Sequence, residues 1–558
     1  MKKPLLIIFI LFLPLFLRAQ VENVPLSDPL YIFIKEMSVK KVISGFDDDN
    51  PNLSREDAAG FLKNIDKRKS ELSGTEKDLL EKFKPEFIPE ESNKDNTWKM
   101  FGSGKNFINN LGDFFSNKQK YLFYAGKQGS NIFVEGIGNI YAGHEFKPDD
   151  KMNSLMMDGG IRVRGTIFKN LGYFFDFNKG AIFGQKELAP YIEPRLRTDF
   201  KFNEDSENLK NYDFTNAYLK YKIEPFEDAN LSVQLGREKL TYGYGYGSKL
   251  ILSGENPNMD FLKMNFDYGV IRLSSIFSSM AGYFSENRDD RYTKYFSAHK
   301  FKVSLDDLFE ASLSDIVVYT DRIEFAYLNP ILIWHLAEKS LQDRDNKNIA
   351  FDFQTKFLKN VEFQGTVFVD DDEQFAMLTG KTNRNQKFGY QFGSFVYEPF
   401  IKNLSFAVEY TKIRPYTYSH WDVKNNYTSY GINLGHRMGP NADEIFTRLS
   451  YNISDWGRIN FEYRHIRKGE NEYDDNGNLI KNVGGDVAIT FRDGIDDPEA
   501  KFLDGERVNT DNFILNFRFI PIRNYIFDFY YVYNIDRNIT KGFNSDMSYA
   551  FVRLNIEY

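Results

Sequence analysis

Cysteine is absent from the 558 residues, which removes disulfides, thiolate metal sites and anchoring through a lipidated cysteine. Long apolar runs are missing as well. Beyond residues 5–17, nothing reaches the roughly 18 consecutive apolar residues that a transmembrane helix needs. A place in a membrane therefore demands a closed β-barrel, the other fold that satisfies its own backbone in lipid. There is no basic excess: 71 Lys and Arg stand against 79 Asp and Glu, a net charge of −8. Without a basic face to neutralise phosphates, a nucleic-acid partner is excluded. Histidine occurs only six times and never in an HExxH-like spacing, so neither a metal nor another cofactor is expected.

Aromatic rings are abundant. Phe, Tyr and Trp make up 16% of the chain, yet mean hydropathy is −0.48. A chain that alternates ring-rich and polar positions averages to hydrophilic in this way, as transmembrane barrels do. The first twenty residues carry Lys2 and Lys3, an apolar run, and Ala19 before Gln20, the order of a secretory signal peptide cleaved after Ala19.

From Pro29 to about Phe87 the period is helical. Leu30, Phe33, Ile34 and Met37 fall on one face, and two capping boxes, Ser54-x-x-Asp57 and Ser73-x-x-Glu76, each precede a further apolar helical face. The order of signals across residues 38–65, a glycine-bearing turn, an acidic loop and then Ser54-Arg55-Glu56-Asp57, resembles an S-layer-homology module with its TRAE-like helix start. That resemblance implies peptidoglycan as a partner of the helical part; the competing expectation is a plain periplasmic helical plug or stalk.

From Asn131 onward, period-2 segments recur to the last residue. Phe513, Leu515, Phe517 and Phe519 oppose Asn512, Asn516 and Arg518; Ala550, Val552, Leu554, Ile556 and Tyr558 oppose Arg553, Asn555 and Glu557. One face is apolar and the other wet. Short turns of one kind, Phe168-Lys169-Asn170-Leu171, Leu358-Lys359-Asn360-Val361, Ile401-Lys402-Asn403-Leu404 and Ile522-Arg523-Asn524-Tyr525, join such segments as periplasmic turns do. About 18 strands result. Residues 427–434 also alternate, but one added strand would invert every later turn, so residues 413–444 are expected to form an extracellular excursion. The division expected is a signal peptide over 1–19, a helical periplasmic domain over 20–91, a linker with a short helix at the barrel mouth over 92–130, and an all-β transmembrane barrel of antiparallel strands over 131–558.

The stretch from Leu235 to Asp260 holds Gly243, Gly245 and Gly247, each preceded by a tyrosine. It lacks the spacing of a phosphate loop. Two uses suit it: glycines that thin a strand turning inward, or rings of Tyr242, Tyr244 and Tyr246 that stack on sugars while their hydroxyls bond, with Arg237 beneath as a fixed donor. Two clusters match it in type: Trp334 and His335 within residues 327–335, and Arg414, Tyr416, Trp421, His436 and Arg437 in the excursion. Asp370 to Asp372 and Asp474 to Gly477 resemble half a calcium loop without its glutamate, and are expected to be solvated turns.

Three strings taken in order, residues 236–260, residues 346–374 and residues 427–445, resemble motifs of the capsule assembly protein Wzi family of outer-membrane barrels. Arg237, Gly243, Asp352, Asp371, His436 and Gly439 occupy motif positions, whereas the YGYGYG run departs from the family's tryptophan, glycine and proline pattern. The resemblance implies an 18-stranded barrel that binds surface polysaccharide as a lectin and is not an enzyme. A monomer seated in outer-membrane lipid is expected. The competing expectation is a diffusion porin or transporter lined by Arg162, Arg164, Glu362, Gln364 and Glu409.

Overall fold

The computed structural model describes residues 20–88, 97–101, 114–127, 129–149, 151–199, 210–283, 285, 287–305, 308–330, 332, 334, 344–370 and 386–558. Eighteen strands follow one another: β1 Ser130–Lys147, β2 Asn153–Ile167, β3 Leu171–Gly184, β4 Asn211–Ile223, β5 Ala229–Glu238, β6 Met259–Tyr268, β7 Ile271–Ala281, β8 Thr293–Leu305, β9 Phe309–Thr320, β10 Asn346–Thr355, β11 Val361–Asp370, β12 Phe388–Tyr397, β13 Leu404–Ile413, β14 Ala442–Ser454, β15 Gly457–Glu470, β16 Glu506–Phe519, β17 Tyr525–Asn538 and β18 Phe543–Glu557. Each pairs antiparallel with the next, and β18 returns to β1, with Arg553 opposite Tyr141, to close an 18-stranded barrel.

Alternation sets which side is which. On β17, Phe529 and Tyr531 are exposed on the outer wall while Asp528 and Val532, on the opposite parity, are buried. The turns at one end are two to six residues long, the periplasmic end of such a barrel. In three of the four recurring turns the asparagine takes the left-handed conformation, with φ 66° at Asn360, 63° at Asn403 and 73° at Asn524. Asparagine tolerates that region better than other non-glycine residues. Residues 428–433 form a two-stranded hairpin apart from the barrel, so the even strand count and the excursion both stand.

Among the described residues three α-helices precede the barrel: α1 Leu30–Val39, α2 Arg55–Lys67 and α3 Gly74–Phe87. Both expected capping boxes form. Ser54 and Ser73 accept from the N3 backbone while Asp57 and Glu76 bond back to the cap. Among the described residues no helix is long and apolar enough to cross a membrane.

The helices do not stand below the barrel as a separate unit. They fill its periplasmic end. Leu30, Phe33, Met37, Leu62 and Leu80 share one core with inward-facing Phe395, Tyr397, Ala407 and Phe446 of the strands. Polar contacts brace this plug against widely spaced walls: Glu22 to Arg164 on β2 at 3.2 Å, Glu36 to Arg458 on β15 at 2.9 Å, and Lys356 Nζ to Ser38 Oγ at 2.9 Å. The turns hold it too, since Asn360 N donates to Val39 O at 3.0 Å and Ser73 Oγ donates to Asn403 Oδ1 at 2.7 Å. Most of the short helix expected near residues 111–115 lies outside the described residues. Phe114 is described, and stacks on the terminal Tyr558 at 4.4 Å.

Candidate functional site

Residues 239–258, between β5 and β6, turn inward and descend the lumen. Tyr242, Tyr244, Leu250, Ile251 and Leu252 are fully buried there. The hydroxyl of Tyr244 donates to Glu310 at 2.7 Å and that of Tyr246 to Glu362 at 2.8 Å. Backbone N–H groups of Tyr246 and Gly247 both donate to Glu409 at 2.9 Å. Burial pushes all three tyrosine phenols upward in pKa, so they stay neutral donors. Gly243 carries a φ of 95°, which disfavours any side chain, and its N–H donates to Asp49 O at 2.8 Å. The descending loop thus touches the helical plug.

That meeting point is acidic on the plug and basic on the wall. Asp49 lies 2.8 Å from Lys300 and 2.9 Å from Lys302; Lys302 also reaches Asp47 at 2.9 Å and Glu310 at 3.1 Å. Asp48 pairs with Lys35, which also holds Glu362. Burial works against the Asp48 carboxylate, but the charges of Lys35 and Lys356 hold its pKa down at about 2. Burial and the charge of Asp49 push Asp47 the other way, to about 7.

The excursion between β13 and β14 caps the descending loop. Tyr418 donates to Leu250 O at 2.8 Å and Tyr427 to Ile251 O at 2.8 Å, and the two rings stack at 5.2 Å. A Cβ at Gly435 would sit 2.5 Å from Tyr418 Oη and 2.6 Å from Leu250 O; only glycine lets the loops approach this closely. Tyr416 is buried and donates to Asn482 O at 3.0 Å, joining residues 471–505 to the assembly. His436 is fully buried, 3.5 Å from Glu444, and burial together with the charges of Arg437 and Arg464 holds its imidazole far below the usual pKa. Arg437 donates to Gly247 O and lies 3.6 Å from Glu255.

The excursion's tip rises at the extracellular rim. Trp421 is 69% exposed there, its ring 5.1 Å from that of His420. The base beneath it is fixed: Lys294 of β8 donates to Asn426 O at 2.5 Å, Thr320 of β9 to Asn425 at 2.9 Å, and Tyr430 N to Ala281 O of β7 at 3.1 Å. Exposed Tyr283 packs beside Gly431, and Lys424 lies 5.7 Å above the ring of Tyr292. Tyr283, Tyr292 and Lys424 were not among the residues singled out by sequence; two aromatic residues flanking the polar loop between β7 and β8 were the available signal.

The remaining expected site residues scatter. Arg237 faces out of the barrel, 53% exposed, paired with Asp260 of β6 at 2.6 Å; strand parity turns it away from the tyrosines, and it does not sit beneath them. Trp334 lies against the outer wall, packed with Val317, Tyr319 and Tyr327 and 4.0 Å from the ring of His299. His335 and Asp371 lie outside the described residues. Asp474 accepts the N–H groups of Asn476 at 2.9 Å and Asn478 at 2.7 Å, a self-satisfied turn. Among the described residues no group of three or more His, Asp or Glu side chains is arranged to hold a metal.

The five residues proposed to line a channel are engaged as well. Arg164 and Glu362 bond to the plug, Glu409 to the descending loop, Gln364 to Glu409 at 3.3 Å, and Arg162 to Asp176 at 3.1 Å.

The sequence model of the capsule assembly protein Wzi family matches residues 169–495, more than half of the chain. Among solved structures, the fold is similar to Wzi, an outer membrane protein involved in group 1 capsule assembly in Escherichia coli and a carbohydrate-binding β-barrel. The two align with a TM-score of 0.56 at 14% identity, over 96% of this chain and 99% of that one. OprD of Pseudomonas aeruginosa aligns at 0.42 with 10% identity, over 76% of this chain and 95% of its own, and OccK1 of the same organism at 0.43 with 9%, over 76% and 98%. No curated protein matches the chain.

Proposed function

Because the chain belongs to the capsule assembly protein Wzi family, we propose that this outer-membrane barrel is a non-enzymatic lectin that holds a surface polysaccharide at its extracellular face. The observation that carries the reading is Trp421, a largely exposed ring on a tip whose base, at Asn425, Asn426 and Tyr430, is bonded to β9, β8 and β7. An indole face presented rigidly suits the C–H face of a sugar ring, since stacking there costs little side-chain ordering. Tyr283, Tyr292 and Lys424 extend the surface with two more rings and a cation for acidic sugars. In this reading Tyr242, Tyr244, Tyr246, Tyr416, His436 and Arg437 are the foundation and do not contact glycan. The filled lumen favours binding over diffusion as the barrel's task. Peptidoglycan contact through α2 is not part of this reading, because the acidic loop ahead of it is turned into the barrel.

The test is retention of polysaccharide on cells and binding of the purified barrel to that polysaccharide. Stacking that buries an aromatic face is worth roughly 1.5–3 kcal/mol, so Trp421→Ala is expected to weaken binding about ten- to a hundredfold. Tyr244→Phe keeps the foundation and is expected to bind normally. Unchanged binding in Trp421→Ala with loss in Tyr244→Phe would place the site in the lumen instead.

A further inference from the structure

On the outer wall near the extracellular ends of β12–β15, cations outnumber carboxylates. Lys412 of β13 stands beside Asp443 of β14, and Asp443 beside Arg467 of β15, in one cross-strand row. Their neighbours along each strand, Ile413 and Ala442, are buried in the lumenal core, so the row itself faces outward. Arg414 joins it from above, its guanidinium 5.7 Å from the ring of Phe388, which shares the outer face with Tyr390. Asp443 is fully used: Arg467 grips it with two bonds of 2.8 and 2.5 Å, and Tyr410 donates to it at 3.1 Å. Among the described residues, Lys412 and Arg414 have no carboxylate within ion-pair distance; Lys412 rests 3.9 Å from the ring of Phe502. Several other exposed cations near the rim are matched, Arg237 with Asp260, Lys147 with Asp546 and Lys541 with Glu506, each at 2.6 Å.

Immediately below the row the wall becomes greasy. Phe392, Val408, Ile445 and Leu449 are all exposed on it, which marks the upper edge of the lipid-facing belt. Three cations around one satisfied acid, over a hydrocarbon surface and edged by Tyr390 and Tyr410, have the chemistry of a lipid headgroup site. Guanidinium and ammonium groups converge on phosphate oxygens, and tyrosines favour the interface. A zwitterionic headgroup would bring its own cation into the cluster and be repelled by it. We propose that Lys412, Arg414 and Arg467 hold the phosphate of a phosphorylated glycolipid of the outer leaflet, with its acyl chains along Phe392, Val408, Ile445 and Leu449. The site is independent of the glycan reading and lies on a different face of the barrel.

The test uses the full barrel, purified in mild detergent and incubated with diphosphoryl lipid A, monophosphoryl lipid A or phosphatidylethanolamine, with native mass spectrometry counting lipid retained after washing. Wild type is expected to keep one diphosphoryl lipid A, less of the monophosphoryl form, and no phosphatidylethanolamine. Lys412→Ala/Arg414→Ala, which leaves the Arg467 to Asp443 pair intact, should retain at least tenfold less; Lys541→Ala should retain as much as wild type. Heat-modified gel migration shows whether each variant is a folded barrel; if the double variant is not, Lys412→Gln alone takes its place, with the same outcome required. Equal retention by the variant and wild type overturns the proposal. So does equal retention of phosphatidylethanolamine, or competition by inorganic phosphate without any retained glycolipid.

Discussion

Replacing Asp49 with asparagine removes the charge at the centre of the contact between plug and wall while keeping the side chain's shape. The carboxylate is fully buried, 2.8 Å from Lys300 and 2.9 Å from Lys302. Taking one partner from a buried ion pair costs about 3–5 kcal/mol. Neither lysine is orphaned, since Lys300 keeps Asp352 at 2.9 Å and Lys302 keeps Asp47 at 2.9 Å, so the lower figure, about 3 kcal/mol, applies. That shifts the balance between seated and released plug about a hundredfold. Planar-bilayer recordings read this directly: wild type should be nearly silent, and Asp49→Asn should spend about a hundred times longer in conducting states. Limited proteolysis of α2 and α3 should accelerate in parallel. If the variant is as silent and as protease-resistant as its parent, the ionic contact does not hold the plug.

Acid should loosen the neighbouring bridge, in which Lys35 of α1 joins Asp48 to Glu362 of the wall. The Asp48 pKa is lowered to about 2, so the stabilisation it gives is present above the unfolded carboxylate pKa of about 4. It is lost as pH falls through about 2. Proteolysis or conductance followed from pH 6 down to pH 2 should show this step in wild type and not in Asp48→Asn. Ser54→Ala removes a capping box from α2 and should cost about 1 kcal/mol, seen as faster hydrogen exchange confined to that helix. Gly435→Ala forces Tyr418 and Leu250 apart and should cost about 1–3 kcal/mol, with faster exchange over both residues 239–258 and 414–441; unaltered exchange would mean that the loops are not locked there.

The barrel was legible because its signals are local. Two-residue alternation, the Lys-Asn turns and the parity of turn lengths each constrain a strand from its own residues, and the capping boxes at Ser54 and Ser73 did the same for two helices. Whether the helices form a plug or a stalk is left open by the sequence. Asp47, Asp48 and Asp49 look like a solvated loop in any window, since their partners Lys300 and Lys302 lie some 250 residues on and sit on a strand face that would be equally polar if it met water. The tyrosines of residues 242–246 were ambiguous for the same reason: a ring that stacks on sugar and a ring that packs a lumen have the same composition. Arg237 faces away from the tyrosines because β5 keeps its alternation through Glu238, one residue beyond the position that would have to turn inward. Trp334 was grouped with lumenal rings because nothing local tells a loop folded over the outer wall from one folded inside.

The plug's braces also bear on how such a barrel is made. Residues 20–88 bond to β2, β8, β12 and β15, walls contributed by the early, middle and late parts of the chain. The seam between β18 and β1 is the last pairing that synthesis order permits, and Tyr558 N to Gly136 O fastens it at 2.7 Å. Residues 20–88 are thus placed to act as a mandrel, touching strands from every part of the chain and matching the barrel's circumference.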